Sequence, residues 1–400
     1  MDQKQLHEHL PDNLFEALSQ SMNASEDPIQ GLMSKTLSLM ADAEFERFIG
    51  AKRSERTETR TNYRHGYRTR RFDTTCGTLM IKVPHPRKGG FTPSFLERYQ
   101  RYEKSLKRVI TDAYVNGVSM GKMRHLATTM GITHISKGQI SAIVSEINDY
   151  TEAFRKRSLK GLDYPILYVD AIFEKIRSNG KAILMAILIV AGSDGCGKRD
   201  IIAIEAYPDE SKESYLGLFN SLKQRGLEDP RLIVSDGAAG MTTAMAEVLP
   251  NTCWQMCKVH LVRKVLKNAR KEDRQTMADE LKEIWHTSDK KVARKRARKI
   301  LKKYADKYPK AMGSLKYSLE ATLTYCDFRE YNPRKISTSN MLERLNREFR
   351  RRSNTIGIFP NTQACLRLFT KYAMNYLESW GKGFHDRASV LNREHYHPIL

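Results

Sequence analysis

Two apolar runs in this chain end in the same way. In YPILYVDAIFEKIR, residues 164–177, Ile166, Leu167, Tyr168 and Val169 lead straight into Asp170. In RLIVSDGAAGM, residues 231–241, Leu232, Ile233 and Val234 lead through Ser235 to Asp236 and a glycine turn. Short runs of β-branched and aromatic residues bounded by turn formers are strands buried on both faces, so the chain must build a sheet covered on both sides. A single strand-end Asp ordinarily caps the following turn. The repeat of the pattern changes that reading: if both strands run the same way at the centre of one sheet, Asp170 and Asp236 meet at its carboxyl-terminal edge, where open α/β sheets keep their sites. Two like charges held close and partly desolvated persist where a divalent cation neutralises them, and hard oxygen ligands favour Mg²⁺ or Mn²⁺.

The surrounding pattern supports such a sheet. From Tyr164 the text reads strand (PILYVD), strand (KAILMAILIVA), strand (RDIIAIEAY), helix (SKESYLGLFNSLKQRG), strand (RLIVSD), helix (GMTTAMAEVL) and strand (CWQMC). Three strands in hairpins followed by strand and helix alternation define a mixed sheet. Glu343 is the candidate third ligand. It follows Ser337, Thr338 and Ser339, which can cap a helix whose Leu342, Leu345 and Phe349 share an apolar face, and Arg347 and Arg350 lie on the same helix. Taken alone, Glu343 and Arg347 make an ordinary surface ion pair.

The chain has 400 residues and a formal charge of +22, which implies more than one domain and a polyanionic partner. The expected organisation is a helical segment over 1–60, a basic strand-rich segment over 61–103 and a helix-turn-helix-like DNA-binding domain over 104–157. An α/β domain carrying the candidate acids follows over 160–258 and 336–382, with an almost wholly helical stretch over 259–335 between its two parts and a tail over 383–400. Candidate DNA contacts are Arg64, Arg68, Arg70 and Arg71 in the basic hairpin, Lys137 and Gln139 on the second helix of the helix-turn-helix, and Arg347, Arg350 and Arg351 beside Glu343. Residues 290–303 carry nine Lys or Arg on a helix whose apolar stripe would be Val292, Ala293, Ala297, Ile300 and Leu301. No run approaches a membrane span and the amino terminus is polar, so the protein is expected inside the cell with its six scattered cysteines as free thiols. Cys253, Cys257 and His260 have a zinc-like spacing but no fourth ligand nearby, and His395 and His397 are expected to be tail residues. There is no P-loop lysine motif and no G-x-S-x-G elbow.

YPILYVDAIFEKIR, LIVSDGAAGM, WQMCKVHLVRKV and STSNMLERLNREFRRRSNTIGIFPN, with YRHGYRTRRFDTTCGTLMIKVPHPRKGGFTP upstream, together resemble the bacterial insertion-sequence transposases related to the Mutator elements. The resemblance runs from about Tyr63 to about Trp380. It implies a multidomain α/β protein with a ribonuclease-H-like mixed sheet, an all-helical insertion, and a mainly helical helix-turn-helix-type region ahead of it. It implies an Asp, Asp, Glu triad on Asp170, Asp236 and Glu343, which would hold two Mg²⁺ ions, with Mn²⁺ as a substitute. Cys257 and His260 match the family's Cys-x-x-His pair and would support the site from outside the ligand set. Lys264 stands where the family has Asn, and SDGAAG is a variant of its usual turn. The implied activity is metal-dependent DNA cleavage and strand transfer on terminal inverted repeats and target DNA, through a circular intermediate, by a homodimer or higher oligomer in the bacterial cytoplasm at the nucleoid. Two other readings stay open at this point: a structure-selective nuclease without joining activity, and a DNA-binding regulator without catalysis.

Overall fold

A computed structural model describes residues 12–24, 27–97, 100–132, 134–193 and 199–381. His395, His397, Cys196 and the tail over 383–400 lie outside the described residues. Contacts divide the chain into two units, Met1–Glu146 and Ile147–Leu400.

The first unit opens with helices α1 (Asp12–Asn23) and α2 (Pro28–Ile49). Asp27 accepts from the Ile29 N–H at 2.9 Å to start α2, Pro28 occupies its first turn, and Gly50 at φ 71° ends it. Strands β1 (Arg64–Thr74) and β2 (Gly77–Pro86) form an antiparallel hairpin. Ser34 and Ser38 of α2 accept from the N–H groups of Met80 and Lys82, so helix side chains satisfy an edge that would otherwise be open. Phe72, Leu79, Ile81, Val83 and Leu96 form the core beneath it, with Met33, Leu37, Phe91 and Phe95 packed around. Three short helices follow: α3 (Lys104–Val115), α4 (Met120–Thr129) and α5 (Lys137–Ser145). A capping box between Ser136 and Gln139 starts α5.

The second unit begins with α6 (Asn148–Lys156), which the sequence reading joined to the helices before it. Its partners lie far ahead in the chain: Arg367 donates to Asn148 Oδ1 at 2.8 Å, and Arg157, just past its end, pairs with Asp200 at 2.8 Å. The five-stranded sheet contains β3 (Ile166–Ser178), β4 (Lys181–Ser193), β5 (Arg199–Tyr207), β6 (Leu232–Ser235) and β7 (Cys253–Met256), in the order β5-β4-β3-β6-β7. β3, β4 and β5 pair antiparallel, while β6 and β7 continue parallel to β3. The sheet is therefore mixed, with β3 at its centre.

Helices α7 (Lys212–Gln224) and α8 (Ala239–Val248) cover one face, where Leu167, Val169, Leu188 and Ile233 pack against Leu218, Phe219, Leu222, Ala244 and Met245. Successive β3 side chains alternate between faces, which sends Tyr168 and Asp170 to the other one. α9 (Lys258–Lys267) leads into α10 (Arg274–Ile284), α11 (Lys290–Tyr304) and α12 (Pro309–Ser318), which pack on one another. On α11 the buried stripe is Ala293, Ala297, Ile300 and Tyr304; Val292, expected in it, is exposed, because the stripe follows a narrower 3.6-residue period. The short α13 (Pro333–Ile336) precedes α14 (Asn340–Ile356) and α15 (Thr362–Gly381), which return to the sheet. The Phe349 and Phe369 rings stack there at 4.4 Å. The described residues contain no helix long and apolar enough to cross a membrane. Of the cysteines, Cys76, Cys253, Cys257, Cys326 and Cys365 are free thiols.

Candidate active site

The register of β3 and β6 aligns the two carboxylates. Ile166 pairs with Leu232, Leu167 with Ile233 and Tyr168 with Val234; carried two residues further, the same offset sets Asp170 beside Asp236. β7 extends the line, because Ser235 pairs with Met256 and the Cys257 N–H donates to Ser235 O at 2.7 Å. Asp170, Asp236 and Cys257 therefore sit side by side at the carboxyl-terminal sheet edge. Gly237 makes the sharp exit after Asp236 possible at φ 91°, and a Cβ there would stand 3.2 Å from the Trp254 ring.

Asp170 is held from two sides. Its Oδ1 accepts from the Ala171 N–H and its Oδ2 from the Asn346 amide, each at 2.9 Å. Burial nevertheless pushes its carboxyl up to about 6, and the charges of Asp236 and Glu343 act in the same direction. The site therefore carries more negative charge than its hydrogen bonds stabilise.

Glu343 arrives on α14, in the first turn, while Leu342, Leu345 and Phe349 bury the helix against the unit. The serine cluster before it does not cap the helix by side chain. Its backbone anchors the start of α9 instead: the Ser339 N–H donates to Cys257 Sγ at 3.4 Å, and Ser337 O accepts from the Lys258 N–H at 3.1 Å. Cys257 thus holds the helix that carries Glu343. Arg263 of α9 makes a two-pronged pair with Glu343 at 3.0 and 2.9 Å, and His260 Nε2 stands 3.7 Å from Glu343 Oε1. Interaction with the Cys257 side chain holds His260 above its ordinary value despite its partial burial. For Cys257, burial acts upward, but hydrogen bonding to His260 and Ser339 outweighs it and leaves the thiol below its ordinary value.

Asp170, Asp236, His260, Arg263, Glu343 and Asn346 line one cavity of about 460 Å³, while Cys257 is fully buried and does not reach it. Asp170, Asp236, Glu343 and Glu210 supply its acids; Arg263, Arg347 and Arg350 supply its cations. Arg351 points elsewhere and pairs with Glu348 at 3.2 Å. Asn346, Arg263 and Glu210 were not singled out from sequence; Arg263 had a usable signal, lying one helical turn past His260 on α9. A cluster of carboxylate oxygens around an under-neutralised Asp170 suits a hard divalent cation. Cys253 is exposed at the far end of β7 from Cys257, so those two thiols do not converge.

In the first unit, Arg68, Arg70, Arg71 and Gln139 line a second cavity of about 1030 Å³, together with Arg101 and His85. Their freedom differs. Arg70 donates to the carbonyls of Glu97 and Gln100, and Arg71 grips the buried Asp73 at 3.0 and 3.1 Å. Gln139 is engaged in the cap of α5. Arg64 lies away from that cavity, paired with Asp42 and set over the Phe45 ring. Arg68 contacts His85 and is exposed, as is Lys137 at the start of α5.

The family model described as transposase, Mutator family, matches residues 5–383, and the chain belongs to the Mutator family of transposases. Its relatives are carried by insertion sequences. The transposase for element ISRM5 of Rhizobium meliloti is 33% identical over 364 residues, covering 91% of both chains. That for IS1081 of Mycobacterium tuberculosis is 32% identical over 94% of this chain and 91% of its own. That for IS256 in transposon Tn4001 of Staphylococcus aureus is 31% identical over 90% and 92%. A solved Drosophila P element transposase strand transfer complex overlaps 71% of this chain and 82% of its own at 12% identity and a TM-score of 0.29, a likeness too slight to build on.

Proposed function

We propose that the second unit is a ribonuclease-H-like catalytic domain in which Asp170, Asp236 and Glu343 form the acidic triad of a DNA cleavage and strand-transfer site. The observation that carries this reading is the shared register of Asp170 and Asp236 at one sheet edge, with Glu343 in the same cation-flanked cavity. The order of the mixed sheet, with three antiparallel strands and two parallel ones added to the central strand, supports it.

The triad would hold Mg²⁺, or Mn²⁺ in its place, and the chemistry such ions supply is activation of a water or 3′-hydroxyl and stabilisation of the leaving oxygen. The chain's own groups prepare the site for it. Ala171 and Asn346 fix the Asp170 carboxylate, leaving it oriented toward the cavity. Cys257 sets the start of α14, and with it the height of Glu343. Arg263 holds the Glu343 side chain until a cation competes for it. Arg347 and Arg350 flank the acids where a phosphodiester would approach, and their guanidinium groups match phosphate oxygens. No covalent protein intermediate is required, so strand transfer reuses the geometry of hydrolysis with a freed 3′ end as nucleophile.

For the first unit, α4 and α5 serve as a helix-turn-helix-type reader of the element's terminal inverted repeats, with Arg68 and Lys137 as its exposed cations. The working assembly is a homodimer or larger on double-stranded DNA, because two ends must be brought together. A supercoiled plasmid carrying the element's ends tests the proposal: Mg²⁺-dependent nicking and joined products are expected, and nicking that persists in EDTA would refute it.

A further inference from the structure

Cys257, His260 and Glu343 bring three different ligand atoms, a sulfur, an imidazole nitrogen and a carboxylate oxygen, within 4.8 Å of one another. Two turns of backbone lock the group. Cys257 sits between the end of β7 and α9, His260 lies in the first turn of α9, and the Ser339 N–H ties the sulfur to the start of α14. The other imidazole nitrogen, Nδ1, is buried and has no well-formed hydrogen bond among the described residues. This is a poor set for Mg²⁺, which takes oxygen ligands, and a good one for a borderline-soft cation. Zinc with bonds of about 2.0–2.3 Å places neighbouring ligand atoms roughly 3.3–3.8 Å apart, and His260 Nε2 to Glu343 Oε1 is already 3.7 Å. Three protein ligands completed by a fourth from solvent is a familiar zinc arrangement, and His260 and Glu343 both line the cavity.

We infer that Cys257, His260 and Glu343 form a second cation site, selective for Zn²⁺, that shares Glu343 with the acidic triad and shuts the enzyme when filled. Glu343 then stands between two ligand sets. With Asp170 and Asp236 it serves a hard ion; with Cys257 and His260 it serves a soft one, and each set draws the carboxylate to its own side. Arg263 is the present occupant of that carboxylate, and as a half-exposed side chain it swings clear at little cost. The inhibitory consequence rests on the triad assignment; the binding does not.

The binding is tested on the untagged full-length chain by titration with Co²⁺ as a spectroscopic stand-in for zinc. One equivalent should give a thiolate-to-cobalt charge-transfer band in the near ultraviolet and intense tetrahedral bands in the visible, all displaced by Zn²⁺. Cys257→Ser should abolish the charge-transfer band and weaken Zn²⁺ binding about 100-fold or more, since even indirect partners of a metal ligand are worth 10–100-fold. Cys253→Ser should change neither. Because Cys257 is buried, Glu343→Gln provides a second variant on a part-exposed side chain, with circular dichroism as the check on folding; it should keep the sulfur band and lose at least tenfold in affinity. Absence of the band in the wild type, or its survival in Cys257→Ser, would overturn the site. A separate arm measures Mg²⁺-driven nicking with one equivalent of Zn²⁺: loss of nicking is expected. If zinc binds with this signature while nicking continues, the inhibition is overturned; if Glu343→Gln itself nicks normally, it is the triad assignment that fails.

Discussion

Asp170 should be a residue that the metal-free protein is more stable without. Its carboxyl is pushed from an ordinary 3.8 up to about 6, chiefly by burial, with Asp236 and Glu343 adding to the effect. The native state therefore binds this proton more tightly than the unfolded state does. Below pH 3.8 both states are protonated and there is no penalty; as pH rises through 3.8 to about 6 the unfolded state gives up its proton first, and stability falls. At 1.36 kcal/mol per tenfold change in acidity, the full penalty above pH 6 is about 3 kcal/mol, an upper bound because the side chain is only part-buried. Asp170→Asn keeps the size of the side chain and the bond from Ala171 while removing the charge. The Asn346 amide, whose Oδ1 is buried with no partner among the described residues, can turn over to accept from the new amide. In EDTA at pH 7.5 the variant should be about 1–3 kcal/mol more stable than wild type, and at pH 4.5 the same relation shrinks the gap to about 1 kcal/mol or less. Urea unfolding followed by tryptophan fluorescence is a suitable assay, since Trp254, Trp285 and Trp380 all lie in the second unit. Added Mg²⁺ should reverse the ranking, because a cation bound only by the folded wild type stabilises it by mass action. A variant no more stable at pH 7.5, or a gap independent of pH, would mean that the protein already neutralises Asp170 and that the site is not short of positive charge.

Four further outcomes are expected. His260→Ala should lower the yield of joined product strongly while leaving Mn²⁺ affinity unchanged, measured by strand-transfer assay and calorimetry; a loss of Mn²⁺ affinity would make His260 a ligand of the hard ion. Arg263→Ala should raise Mn²⁺ affinity by freeing Glu343, and because Arg263 is well exposed it should change stability by less than about 1 kcal/mol. In the first unit, Arg68→Ala should weaken DNA binding and lower its salt dependence by about one counterion without affecting folding. Arg71→Ala should act mainly on folding, costing about 1–3 kcal/mol in urea unfolding by leaving the buried Asp73 without its guanidinium.

The parts of the site that were legible in the sequence are those set by local pattern. An apolar run ending in Asp names both the strand and its terminal carboxylate, so Asp170, Asp236 and the mixed sheet could be anticipated, and WQMC placed Cys257 at the next strand end. Glu343 was legible because the apolar face of α14 runs beside it. Asn346 was hidden: as an Asn on a basic helix it carries no signal until α14 lies across β3. The basic hairpin was legible only in part, since a run of arginines does not say which of them pair internally; Arg64 and Arg71 pair with Asp42 and Asp73, acids that a count of net charge cancels without locating. The attachment of α6 to the second unit was equally invisible, because its partners Arg367 and Asp200 are set by tertiary contact alone.

The most direct test of the central claim is a cleavage and joining assay with the full-length chain on DNA carrying the element's ends, comparing wild type with Asp236→Asn in Mg²⁺. Asp236 is the right position because it meets Asp170 through strand register, and its carboxylate accepts from the Ala238 N–H of its own turn at 3.3 Å. Binding of the DNA by both proteins, with nicked and joined products from the wild type only, is the predicted result. Wild-type product yield from Asp236→Asn would contradict the account.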